Sequence, residues 1–300
     1  MFTYSLPTRR HTALCLVFCM VITAFMGACA HRPEAPIIPL LSGQAAFDTA
    51  TRLDKLLPAD VLLLGEQHDA AEHQQIEQQV VANLAQRGVL AAVALEMADA
   101  GTSTATLHPS SNEERVRLAL RWSEDSWPWS AYGPAVMTAV RAGVPVLGAN
   151  LPRARMRDSM VDSKLDVALP GPALKAQQQL IRTGHCKLLP EVQITPMTRI
   201  QIAKDISMAT TLSQAAVPGK VVVLLSGNGH ADRFLGVPQH LDPDLKVKVI
   251  RMRAGPDAGG DKASAFDMVW VTPALPEKDY CAGLREQFGG KGSPAVDVKP

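Results

Sequence analysis

Val221-Val222-Val223-Leu224-Leu225-Ser226-Gly227-Asn228-Gly229-His230 joins five consecutive apolar residues to an abrupt polar ending. A strand with no polar alternation is one covered on both faces, as in a parallel sheet flanked by helices. Working outward, the same grammar recurs. Asp60–Leu64 runs into Gly65-Glu66-Gln67-His68-Asp69, Val89–Leu95 into Glu96 and Met97, and Val144–Leu147 into Gly148-Ala149-Asn150-Leu151-Pro152-Arg153. Leu245–Arg251 and Phe266–Thr272 read as late strands joined by the loop Ala254–Ala263.

Helical patterns separate these runs. Over Ala70–Gln86, Ile76, Val80, Val81 and Leu84 fall on one face, and Gly88 closes the helix. Asn112–Arg121 and Pro134–Ala142 read as helices, the second ended by Gly143. Residues 155–218 carry no strand signal and form a helical subdomain, broken at Pro170 to Pro172 and at Pro190, with its longest helix over Met197–Ala216. The expected architecture is α/β: a doubly wound, mainly parallel sheet with helices on both faces and a helical subdomain.

The ends of the chain concern targeting. Arg9 and Arg10 precede an apolar run from Ala13 to Met26, and Gly27-Ala28 lead into Cys29. That order of charge, short apolar core and small-residue exit predicts a secretory signal over 1–28, and Met26-Gly27-Ala28-Cys29 resembles a bacterial lipobox with lipid on Cys29. Ala30 rather than Asp follows, which favours the outer membrane. Residues 29–41, with Pro33, Pro36 and Pro39, form a stiff spacer, 42–285 the folded domain, and 286–300 a disordered tail. Once the signal and Cys29 are set aside, Cys186 and Cys281 remain. In an oxidising compartment they form a disulfide or stay as two buried thiols. The chain carries a formal net charge of +1 and the signal holds two arginines and no acid, so the exported part has no basic excess. Nucleic acid is thereby an unsuitable partner.

In an open parallel sheet the strand ends lie along one edge, where ligands bind in a crevice. Glu66, His68, Glu96, Asn150, Arg153, Asn228 and His230 are expected to converge there, with Asn228 alternatively serving only as an N-cap. Gly65, Gly227 and Gly229 are expected to supply positive φ at tight strand exits.

These residues resemble a known family. Leu63–Asp69, Leu95-Glu96-Met97, Gly148–Arg153 and Ser226–His230 look like the ChaN family of haem-binding lipoproteins, in a superfamily with the Tiki proteases and the erythromycin esterases; the likeness covers about residues 42 to 285. It implies a haem-binding outer-membrane lipoprotein, facing the periplasm or cell surface, in haem or iron uptake or storage. It also implies a possible homodimer in which a tyrosine of one subunit ligates each iron and a histidine of the other meets the propionates. Outside the signal only Tyr132 and Tyr280 remain as tyrosines. Tyr132 is taken as the iron ligand and His68 or His230 as the propionate partner; Trp127 and Trp129 either flank the haem or belong to the core. His185 is read as structural, and His73 and His240 as solvated. The alternative is a hydrolase, esterase or peptidase, in which Glu66, His68, Glu96 and His230 bind a divalent metal or activate water directly. No His-Glu-x-x-His helix or Gly-x-Ser-x-Gly elbow is present.

Overall fold

The structure is a computed structural model that describes residues 43–256 and 265–289. The signal, Cys29, the spacer, most of the Ala254–Ala263 loop and the tail from 290 lie outside the described residues. Six strands form one parallel sheet: β1 (Val61–Glu66), β2 (Leu90–Asp99), β3 (Val146–Asn150), β4 (Val221–Gly227), β5 (Val247–Ala254) and β6 (Met268–Thr272), in the order β3-β2-β4-β1-β5-β6. The apolar run at 221–225 lies in β4, between β2 and β1, where every residue is buried.

Alternation of side chains distributes each strand between two cores. Leu62, Leu64, Val221, Val223 and Leu225 enter one, with Ile76, Val80, Val81 and Leu84 of α2 (Ala71–Gln86) and Val136 and Val140 of α4 (Trp129–Arg141). Val61, Leu63, Val222 and Leu224 enter the other, with Met208, Ala209 and Leu212 of α7 (Glu191–Ala215) and Ala231 of α8 (Asn228–Ala231). The connection leaving β1 therefore crosses one face of the sheet, and that leaving β4 the opposite face. Between such diverging neighbours the carboxyl ends open into a crevice.

Several element boundaries differ from the sequence reading, each for a local reason. Strand β2 runs on to Asp99, so Glu96 sits inside the strand. Helix α4 starts at Trp129 rather than at Pro134, which places Tyr132 on a helix. Helix α7 runs through Pro196. That proline forgoes only its bond to the carbonyl of Val192, an exposed residue whose backbone can turn to water. Helix α1 (Gly43–Asp54), at the domain's start, and α9 (Ala282–Gly289), at its end, have no counterpart in the sequence reading, and α9 extends past the expected boundary at 285. The expected helix over Asn112–Arg121 is α3 (Glu113–Ala119), with Asn112 capping it by accepting from the Arg115 N–H at 3.1 Å. The remaining helices, α5 (Met156–Val161) and α6 (Gly171–Gly184), precede α7 in the strand-free region, and Gly88 and Gly143 end their helices at positive φ. Among the described residues no helix is long and apolar enough to cross a membrane.

Candidate functional site at the carboxyl edge of the sheet

Glu66 ends β1, and its buried carboxylate gathers three donors. Tyr132 donates its hydroxyl to Oε1 at 2.8 Å, His68 Nδ1 lies 2.8 Å from the same oxygen, and Gln74 of α2 donates to Oε2. A carboxylate only accepts, so Nδ1 is the protonated nitrogen of His68, and Nε2 is left facing Glu96 Oε2 at 3.8 Å. The His68 side chain is 39% exposed, which makes it the open member of the cluster. Burial lowers its pKa, but the bond to Glu66 and the charges of Glu96 and Glu66 outweigh burial and leave it raised.

A second, fully enclosed unit lies beside the first. His230 is wedged between two buried carboxylates, with Nδ1 2.5 Å from Asp205 Oδ1 and Nε2 3.3 Å from Glu96 Oε1. Burial alone would neutralise this imidazole; Glu96 and Asp205 instead raise its pKa to about 10. It is a buried imidazolium at neutral pH. Glu96, although buried, is held well below the usual carboxylate range by His230, His68 and the Gly227 N–H, which donates to Oε2 at 2.8 Å. Burial pushes Asp205 up to about 6 against the pull of His230. The amide of Gln201 lies 3.1 Å from His230 Nδ1, so α7 contributes two residues one turn apart.

Glu77 is 0% exposed, and among the described residues neither of its carboxyl oxygens has a hydrogen-bond partner. Burial, followed by the charges of Glu66 and Glu96, raises its pKa well above the ordinary value. A neutral acid is the state that tolerates such a place.

The aromatic residues divide between rim and core. Trp127 is half-buried and meets the His68 ring edge-on, with centroids 4.9 Å apart. Trp129 is buried, donates Nε1–H to Glu113 at 2.9 Å and stacks edge-on with Trp122. It therefore belongs to the core rather than to a haem face. Tyr132 joins the cluster but is 1% exposed, its hydroxyl committed to Glu66. Burial and the carboxylates Glu66, Glu77 and Glu96 push its pKa far up, so its phenol acts as a buried donor. Tyr132, the expected iron ligand, thus lies enclosed with its hydroxyl bonded to Glu66. Tyr280, 58% exposed, donates to Asp69 Oδ2 at 2.8 Å, one residue along the chain from His68.

Of the other residues expected here, Asn150 donates to the Glu96 carbonyl at 2.8 Å and fixes the β2 tip. Asn228 donates to the Met252 carbonyl at 3.0 Å, buttressing the sheet instead of facing the cluster. Arg153 is exposed in the turn after β3 and bonds to none of these groups. His73 is buried rather than solvated, accepting from the Gln67 N–H and pairing with Thr272, and His240 is half-buried. His185 meets the Ile181 carbonyl, a structural role. Gly65, Gly227 and Gly229 are absent from the positive-φ glycines. The first two are needed for space. A Cβ on Gly227 would sit 2.8 Å from His68 Nε2, and one on Gly65 would sit 2.8 Å from Asn228 Oδ1. Gln74, Glu77, Gln201 and Asp205 were missed. The available signal was a polar residue inside an apolar helical stripe, as for Asp205 in Ile202-Asp205-Met208; Glu77 has polar His73 and Gln74 on one side and apolar Val80 and Val81 on the other.

The chain matches, over residues 52–241, the family described as haem-binding uptake, Tiki superfamily, ChaN. It belongs to the ChaN family. A structure of "Cofacial heme binding to ChaN of Campylobacter jejuni" is 27% identical, with a TM-score of 0.58, covering 70% of this chain and 87% of that one. Two further structures are each 16% identical with a TM-score of 0.42. One is the type III effector HopBA1, with 72% of this chain and 88% of that one covered. The other is a mutant of the erythromycin esterase EreC in its open conformation, with 69% and 73% covered. No curated protein matches. The ChaN family binds haem, and the donor set at the rim suits it: an open imidazole, an exposed phenol and a flat indole face. Among the described residues no three His, Cys, Asp or Glu side chains are arranged to hold a metal ion.

Proposed function

We propose that this chain binds haem at the carboxyl edge of its sheet, as a carrier or store in haem and iron uptake. The observation that carries the reading is open His68 against Trp127, with exposed Tyr280 bonded to the adjoining residue Asp69, in a chain of the haem-binding ChaN family. Tyr280 is the iron ligand, since the ligand must be reachable, and Tyr280 is exposed where Tyr132 is enclosed. His68 meets a propionate. His230 does not act as a ligand, because both its nitrogens are engaged by carboxylates. Two copies of the chain face each other across the haems, and lipid on Cys29 holds each at the outer membrane, facing the periplasm or cell surface. The test is a haemin titration followed by Soret absorption, with particle size measured before and after. Saturable binding accompanied by dimer formation is expected; no Soret change would sink the reading.

Tyr132 gives a separate check on the ligand. Tyr132→Phe removes a donor to a buried carboxylate at nearly constant shape, a loss of about 1.5–3 kcal/mol in stability. Denaturant titration measures that loss, while the haem spectrum stays as in the parent protein. A lost or shifted Soret band would return the ligand role to Tyr132.

A second reading rests on one contact. The Glu66-oriented His68, half-open to solvent and raised in pKa, has the arrangement of a general acid–base pair that could act on water at an ester or peptide without a metal. Hydrolysis of an activated ester that His68→Ala abolishes would favour it.

A further inference from the structure

We propose that the Cys186–Cys281 disulfide is a thiol–disulfide exchange site and a latch, holding the C-terminal arm, with Tyr280, at the rim until a dithiol releases it. The expected pairing is present, with Cα atoms 5.8 Å apart across a sequence separation of 95. It joins the end of the helical subdomain to a segment that is mostly exposed among the described residues. After β6, whose Trp270 is buried, residues 273–280 form no regular structure, and all but Leu275 are exposed. In α9, Ala282, Gly283, Arg285 and Glu286 are exposed as well. Asp279 pairs with Arg285, but both belong to the arm.

Among the described residues, Tyr280 and Lys278 tie the arm to the strand tips at Asp69. Tyr280 donates to its Oδ2 at 2.8 Å, Lys278 Nζ lies 3.6 Å from the same oxygen, and Lys278 also sits over the Tyr280 ring at 5.1 Å. Exposed contacts of this kind are weak, too weak to keep an arm closed without a covalent link. The link is accessible: both cysteines are half-buried and line an open cavity of about 220 Å³ with Thr183, Lys187, Leu188 and Arg285. Accessible disulfides are the exchangeable ones.

The exchange balances simply. A thiolate of the dithiol attacks one cysteine sulfur, forming a mixed disulfide and expelling the other cysteine as a thiolate that takes up a proton. The second thiolate of the reductant displaces the remaining cysteine and closes the oxidised dithiol. Two electrons pass from the dithiol to the cystine. The consequence for ligand binding rests on the haem reading above, because release carries Tyr280 away from His68; the latch itself does not.

The test compares the mature chain as purified with the same chain treated with dithiothreitol and alkylated, and with Cys281→Ser. Under brief trypsin exposure, cleavage at Lys278 and Arg285 is expected to be on the order of tenfold faster in the last two, since cutting follows the open population. The circular dichroism of the core should stay unchanged. Equal cleavage rates would overturn the latch. So would loss of the core signal together with the arm, which would make the bond a support of the whole domain. Haemin titration of the same samples should show weaker binding once the arm is free. If the oxidised chain binds no haemin, the haem reading fails while the proteolysis still decides the latch.

Discussion

His230→Ala destabilises the domain by about 3–5 kcal/mol, the usual consequence of removing one partner from a buried ion network. The substitution deletes the cation between Glu96 and Asp205 and leaves two enclosed carboxylates, one of which also has an oxygen with no partner. The pH dependence gives a second signature. The folded pKa of His230, raised to about 10, lies above the unfolded value of about 6.5. Its contribution is fully present below about pH 6.5 and is lost as pH rises through about 10. Thermal melts across that window should show falling stability in the parent chain. The variant should lack this decline and should gain stability toward acid as Asp205 and Glu96 take up protons. A loss below about 1 kcal/mol, typical of an ordinary substitution, would mean that the imidazolium is not what satisfies these carboxylates.

Tyr280→Phe removes the proposed iron ligand while leaving the fold intact, because its hydroxyl meets only exposed Asp69. Haemin affinity should fall by at least about tenfold, or ~1.4 kcal/mol, with a changed Soret band. Stability should stay close to that of the parent chain, as for other exposed polar contacts. With Tyr132→Phe the pattern reverses: stability falls and the spectrum holds. The pair therefore separates an open phenol from a buried one. Identical spectra for Tyr280→Phe and the parent chain would remove Tyr280 from the site and with it the ligand half of the proposal.

Much of the site was readable where a residue's place followed from the strand before it. Glu66, His68, Glu96 and His230 each follow or end an apolar run, and parallel strands bring such ends to one edge whatever the helices do. Residues on helices were harder. Asp205 interrupts the apolar stripe Ile202-Met208, and Glu77 sits where polar His73 and Gln74 give way to Val80 and Val81, so a periodicity count assigns neither a role. Their purpose appears only when α7 and α2 are laid against opposite faces of the sheet. Tyr132 and Tyr280 illustrate the same limit. Aromatic clustering made Tyr132 attractive, yet its helix begins five residues earlier than Pro134 suggested and turns the phenol inward onto Glu66.

The sequence alone determined the parallel α/β order, the polar strand endings and the pairing expected of Cys186 with Cys281. Strand character and cysteine number are local properties, and hydrophobic pattern expresses them directly. Tertiary structure decided which groups are open and which are enclosed. It made His230 a buried cation and left His68 accessible, because charge state depends on neighbours contributed by distant segments. It also gave Gly65 and Gly227 their reason: other side chains occupy the space a Cβ would need, a fact of packing that no backbone preference encodes.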